Sequence, residues 1–248
     1  VGGAINLVTR PVPKEDLAEL DLIAGSDGYK KIAGTVGYNF DSVGILLEGF
    51  RYGSDGFKEL DSGKDTGFVR NDINVKLRWV PQSELPQTLM IKAGFADEDA
   101  DETYLGLTDS DFSENPHRRY PASQLDRFQS EHKQLHVHHS VALNSDMDLK
   151  TKIYYNEYHR SWNKFDGFMD GPKAQDVLRE PSAYTSAYRV LQGLQDSNVG
   201  DFTDLTIDVT DNDREYTSHG IQFNLNKRFA LVGLDHTLKV GIRYHEDD

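Results

Sequence analysis

The sequence predicts an all-β protein whose antiparallel strands run up and down in chain order, as a partial transmembrane β-barrel. Three observations predict it. Apolar and polar residues alternate with period two in one stretch after another, the connections alternate between long and short, and aromatic residues collect toward both ends of the strands.

The first thirteen residues read VGGAINLVTRPVP. Gly2 and Gly3 allow close backbone approach or positive φ. Ile5, Leu7 and Thr9 alternate with Asn6 and Val8 like a short strand, and Pro11 and Pro13 then stop ladder pairing. The stretch reads as the last strand of a preceding unit, so the chain is expected to be a fragment of a longer protein.

Beyond it the alternation is regular. Ile73, Val75, Leu77 and Trp79 oppose Asp72, Asn74, Lys76 and Arg78, giving one apolar and one charged face. Ile32, Val36, Tyr38 and Phe40 stand against Lys31, Thr35 and Asn39, and Leu149, Ile153 and Tyr155 against Lys150, Lys152 and Asn156. Near the end, Ile221, Phe223 and Leu225 oppose Gln222, Asn224 and Asn226, and Leu238, Val240, Ile242 and Tyr244 oppose Lys239 and Arg243. With weaker segments at 17–24, 44–52, 87–96 and 128–143, this makes about nine half-buried antiparallel strands.

The connections divide into two sets. Asp41 and Ser42, residues 81–86, 144–146 and 230–235 are short, whereas 53–69, 97–127 and 161–213 are long. In an up-and-down sheet every second connection emerges at the same end, so the long loops share one end, as in outer-membrane barrels. Phe40, Trp79 and Phe229 sit beside short turns and Phe95, Tyr155 and Tyr244 toward the long loops, the placement of two interfacial girdles. Inside the longest loop, from Pro181 on, Tyr184, Ala187, Tyr188, Leu191 and Leu194 recur at helical spacing and predict a short amphipathic helix that caps neighbouring loops.

Composition narrows the function. The formal charge of -14 argues against nucleic acid as a partner. The mean hydropathy of -0.62 does not exclude a membrane protein, because a barrel strand needs only every second residue apolar over about 10 residues. With no cysteine there is no disulfide, thiolate metal site or cysteine nucleophile. No nucleophile elbow, phosphate-binding loop or H-E-x-x-H pair occurs, so no enzyme and no resident cofactor are expected.

Three clusters are candidates for chemistry. His132, His136 and His138 share a strand face with Gln134, while His139 lies on the apolar face; the spacing suits a metal, and a polar lumen wall accounts for it equally. The run Asp97, Glu98, Asp99, Asp101 and Glu102 lacks the glycine and spacing of a calcium loop and reads as solvated loop charge. Arg118, Arg119 and Arg127, with His117 and Tyr120, form a basic and aromatic cluster in an otherwise acidic chain. They are the candidate ligand-binding residues, for an anion; the competing reading is local pairing with Asp109, Asp111, Glu114 and Asp126.

VGGAINLVTRPVPK resembles the plug-to-barrel junction of TonB-dependent outer-membrane receptors, particularly the ferric dicitrate receptor group. RYGSDGFKELDSGKDTGF, GFADEDADETYLGLTDSDFSENPHRRYPASQLDR and NDREYTSHGIQFNL resemble the first barrel loops and adjoining strands of that group, in the same order. Residues 164–205 share only the character of a long loop. The resemblance implies a barrel of the 22-stranded class in the cell outer membrane, of which residues 1–13 are the end of the plug and residues 14–248 the N-terminal part of the barrel. It implies uptake of a ferric chelate, ferric citrate or another siderophore, as transported ligand. The expected partners are TonB, through a region N-terminal to this chain, and outer-membrane lipid. A passive porin, a soluble β protein with binding loops, or a receptor for haem or carbohydrate are the alternatives.

Overall fold

A computed structural model describes residues 2–3, 8–196 and 205–248. The predicted strand residues Ile5 and Leu7 lie outside them, as do residues 197–204 of the longest connection. The strands are β1 (Leu17–Ala24), β2 (Lys30–Phe40), β3 (Val43–Ser54), β4 (Glu59–Leu60), β5 (Phe68–Trp79), β6 (Gln87–Asp101), β7 (Arg118–Arg119), β8 (Arg127–Asn144), β9 (Met147–Phe168), β10 (Ile207–Asp211), β11 (Arg214–Leu231) and β12 (Leu234–Asp247). Three short helices, α1 (Asp109–Glu114), α2 (Ala174–Arg179) and α3 (Thr185–Leu191), lie in the connections.

Nine long strands pair in the order β1-β2-β3-β5-β6-β8-β9-β11-β12, each antiparallel to its neighbour, and β10 adds to the far end of β9. Among the described residues β1 and β12 each have one partner, so the sheet is open. No described helix is long and apolar enough to cross a membrane.

The two faces of the sheet have opposite character. Val43, Ile45 and Leu47 of β3 stand in register with Trp79, Leu77 and Val75 of β5, and those with Leu89, Ile91 and Ala93 of β6. The band continues through Leu135, Val137 and His139 to Tyr155, Ile153 and Thr151. Ile73, Val75, Leu77 and Trp79 are all exposed on this face, while Lys76 beside them on the other face is 3% exposed. From Ile73 to Trp79 the band covers about 20 Å of strand at ~3.3 Å per residue. Phe40, Trp79, Phe229, Tyr155 and Tyr244 are exposed at the expected ends, whereas Phe95 is half-buried between Ile73 and Lys133.

At the upper edge of the band charged residues replace apolar ones on the outer face. Lys133 bridges Glu131 (2.6 Å) and Glu157 (3.0 Å), and the Tyr244 hydroxyl donates to Glu246 at 2.5 Å. The strands continue above this level, which corrects two expectations. Asp97 to Asp101 belong to β6 rather than to a loop, because cross-strand partners take up their charge: Asn71 donates to Asp97 (2.5 Å) and Arg70 pairs with Glu98 (2.8 Å). Likewise β9 runs on to Phe168, past the expected loop start at Ser161.

The segment before β1 lies against the inner face. Lys76 donates its ammonium to the Arg10 carbonyl, and Arg10 pairs with Glu19 at 2.6 Å. The approach is close enough to require glycine: a Cβ on Gly37 would lie 2.4 Å from Pro13 Cγ, and one on Gly44 2.7 Å from Val12 Cγ1.

The buried apolar core lies outside the sheet. Leu105, Tyr120, Ala122, Val177, Leu178, Ala187, Val190, Leu191 and Leu205 pack with Phe165 and Phe168 at the upper end of β9, so the long connections form a built cap at one end. The predicted helix is α3, with Ala187 and Leu191 fully buried; Leu194 falls beyond it and is exposed. Helices α1 and α2 carry too few apolar residues to show a period.

Candidate functional site

The cap joins three connections. Strands β4 and β7 pair parallel, Glu59 with Arg118 and Leu60 with Arg119, which ties residues 55–67 to residues 102–126. Arg118 is the link between them. Its Nε and Nη2 donate to Asp61 Oδ2 at 2.9 and 2.8 Å, and its Nη1 donates to Asp111 Oδ1 at 3.0 Å. The guanidinium also lies 5.4 Å from the Tyr120 ring centre.

Asp111 joins the third connection. Its Oδ2 accepts from the hydroxyls of Tyr120 and Tyr188, whose rings meet edge to face at 6.0 Å. Burial pushes the Asp111 carboxyl up, but the Tyr120, Tyr188 and Thr108 hydrogen bonds and the Arg118 charge together outweigh it and hold the group below its ordinary range. Burial, and then the bond to Asp111, push the Tyr120 hydroxyl above its ordinary value.

The expected local pairing is thus partly realised and partly different. Asp111 pairs with Arg118, whereas Asp109 and Glu114 make no ion pair with the arginines among the described residues. Asp126 accepts backbone N–H groups instead, from Tyr104 at 2.7 Å and Phe165 at 2.6 Å.

Arg118 and Arg119 are adjacent in β7, but their surroundings differ. Arg119 donates to the Pro116 carbonyl (2.9 Å) and the Arg118 carbonyl (2.5 Å) and has no carboxylate within ion-pair distance among the described residues. Burial lowers its pKa, and burial followed by the Arg119 charge lowers that of Lys58. Glu102 opposes the shift at Lys58, so of these two cations Arg119 is the one without a carboxylate beside it among the described residues. Arg127 stands apart from both. At the first position of β8 it points to the outer face and holds Asp99 in a two-bond pair, with Nε to Oδ1 at 2.8 Å. His117 Nδ1 lies 3.0 Å from the Phe57 carbonyl oxygen.

His132, His136 and His138 do share the inner face. His136 Nε2 lies 2.9 Å from Asn156 Oδ1, and the His136 and His138 rings are 6.2 Å apart. His139 faces outward against Gln87 at 2.9 Å. Among the described residues no group of three or more His, Asp or Glu side chains is arranged to hold a metal ion.

Aromatic rows at the top of the inner face went unread in the sequence. Phe50, Tyr158 and Tyr216 share one register row with Asp72, Ala96 and His132. Phe68, Phe128 and Trp162 share another, higher row with Ser54 and Ala100. A cavity of about 730 Å³ opens beside them, lined by Tyr52, Phe68, Tyr104 and Trp162 with Lys58, Glu98 and Glu102. Along β9 Tyr154, Tyr158 and Trp162 recur at every fourth position and so share one face.

Neither a protein-family model nor a curated protein sequence matches the chain. Solved structures do match it. The ferric citrate transporter FecA in its unliganded form aligns over 100% of this chain and 31% of its own, with TM-score 0.68 and 19% identity. The siderophore receptor PiuA from Acinetobacter baumannii aligns over 96% of this chain and 31% of its own, with TM-score 0.67 and 14% identity. The ferric-catecholate import receptor Fiu from E. coli K12, in its open form, aligns over 96% and 35%, with TM-score 0.66 and 9% identity. The chain spans about a third of the length of these structures, and over that span its fold is the antiparallel up-and-down barrel wall that they contain.

Proposed function

We propose that the chain is part of a TonB-dependent outer-membrane receptor that takes up a ferric chelate, ferric citrate or another siderophore. In this reading residues 1–13 end the plug and residues 14–248 begin the barrel, and TonB acts through a region N-terminal to the chain. The observation that carries it is the inverted polarity: large apolar residues are exposed around the outside of the sheet, Lys76, Lys92, Asn74 and Gln134 lie on the inside behind that band, and the buried apolar cluster is a cap at one end. A water-soluble sheet has no reason to expose Ile73, Val75, Leu77 and Trp79 together. Residues 8–13 lying on the inner face support a plug that leads into the barrel.

Arg118, Arg119 and Arg127 remain the proposed cationic contacts, with distinct roles. Arg119, which holds no carboxylate, contacts the anionic chelate directly, and for Arg118 capture means exchanging Asp61 for a ligand oxygen; Arg127, on the outer face and paired with Asp99, meets the chelate only at the rim, before it enters. The test is iron-limited growth, and uptake of radioactive iron, by cells carrying the full-length protein. Chelate-dependent uptake that disappears when TonB is deleted supports the reading; uptake indifferent to TonB supports a passive pore. Arg119→Ala should weaken chelate binding by about ten-fold, the scale of one charge-assisted contact.

A further inference from the structure

The outer face carries its charge unevenly at the cap end. Across the sheet one register row passes from Leu22, Ile32 and Arg51 on β1 to β3 to Asp97, Glu131 and Glu215 on β6, β8 and β11. The next row up holds Lys30 opposite Gly53 and, farther along, Asp99. On the acidic side the cations are taken: Lys133 bridges Glu131 and Glu157, and Arg127 holds Asp99. Lys30 and Arg51 are not taken in this way. Arg51 donates to Asn71 Oδ1 at 2.8 Å, and among the described residues neither cation has a carboxylate within ion-pair distance.

Both side chains are exposed. They are diagonal neighbours on paired strands, roughly 7–8 Å apart, so their long side chains can meet on one anion. Gly53 puts no side chain beside them, and a cavity of about 520 Å³ opens there, bordered by Lys30, Arg51, Leu22, Ile32 and Val69. Asp55, beyond the end of β3, also borders it and pairs with neither cation. Directly below, the apolar band begins. Leu20, Val36 and Leu47 are exposed there, and Gly34 faces Gly49 with no outward side chain on either. The result is a furrow: a Cβ built on Gly34 would have no atom within 4 Å.

Two cations without carboxylates above an apolar furrow match a molecule with an anionic head and a hydrocarbon tail. A soluble anion would use the cations and leave the furrow empty. An acidic protein would have to enter the plane of the membrane to reach them. We infer that the outer face of β2 and β3 binds the phosphate-bearing headgroup of an outer-leaflet lipid, with Lys30 and Arg51 on the phosphate and an acyl chain along Gly34 and Gly49. The inference rests on the membrane-wall part of the reading above and not on the ferric ligand.

The test measures binding of diphosphoryl lipid A, and of the same lipid with its phosphates removed, to the purified full-length protein in neutral detergent by native mass spectrometry. The phosphorylated lipid should bind about thirty-fold more tightly, the scale of two cations at a headgroup. Lys30→Gln and Arg51→Gln should each lower this preference about five-fold, and the two together should reduce it to about two-fold or less. Lys30→Arg with Arg51→Lys, which keeps both charges, should stay within about two-fold of the parent, as should Lys133→Gln, whose cation is already held by two carboxylates. Every variant should keep the parent's heat-modifiable mobility, so that a lost preference is not a lost fold. Inorganic phosphate at millimolar concentration should leave the lipid bound; displacement would mark a free-anion site and overturn the inference. Equal affinity of the parent for the two lipids, or a double glutamine variant that keeps the preference, would also overturn it, and all three results leave the uptake reading standing. A full-length protein that stays dissolved in buffer without detergent overturns both.

Discussion

Asp111 shows how much one side chain holds in the cap. It receives Arg118 from its own connection and Tyr188 from another, and through Arg118 it reaches Asp61 on the first. Asp111→Asn keeps the shape but removes the charge that Arg118 and both tyrosines address. It should speed protease cutting within residues 102–126 and 169–196 by about one to two orders of magnitude, measured on whole cells. The sign of the pH dependence follows from the shifts. A carboxyl held below its ordinary value contributes stability that is present above the unfolded pKa near ~3.9 and is lost as pH falls through the folded value. Tyr120, raised above its ordinary value, contributes stability present below about pH 10 and lost as pH rises through its folded value. The Asp111 contribution to cap protection should therefore fall at acid pH and the Tyr120 contribution at alkaline pH, and the acid part that Asp111 supplies should be missing in Asp111→Asn. The basic cluster around Arg118 was legible in the sequence; its main partner was not, because Asp61 is 57 residues away and only the β4 and β7 pairing brings it near.

At the scale of the element, β5 was readable because an apolar outer face and a polar inner face impose a single period over its length. The upper ends of β6 and β9 were not. There the outer face meets water, so Asp97, Asp99 and Asp101 occupy strand positions that resemble a turn when their cross-strand partners are out of view. The same geometry sets the cost of a charge. Leu77→Arg on the outer face should reduce insertion by about 2–4 kcal/mol if the site is near the membrane midplane, read as loss of heat-modifiable mobility in the full-length protein, whereas Asn74→Arg on the inner face should insert normally. The hairpin between β11 and β12 carries a local conflict. Val232 has φ 53° and Gly233 φ 73°, a pair of left-handed positions that suits Asn-Gly and not a β-branched residue. Val232→Asn should raise the unfolding midpoint in urea by an amount equivalent to about 1 kcal/mol.

For the whole molecule, strand order and the sorting of long and short connections follow from alternation and turn chemistry, which act locally and are written along the chain. The cap core is not written that way. Leu105 comes from one connection and Val177, Leu191 and Leu205 from another, and apart from Leu191 on its helical spacing they show no period, so their burial depends on the wall that holds those connections together. The account as a whole depends on which side of that wall faces lipid. The most direct test places single spin labels at each position from Ile73 to Trp79 in the full-length protein within membranes, and reads their collisions with oxygen and with a water-soluble nickel chelate. Labels at positions 73, 75, 77 and 79 should favour oxygen and those at 74, 76 and 78 the chelate, in strict alternation. Favoured collision with the chelate at 75 and 77 would contradict the assignment of this chain to a membrane barrel.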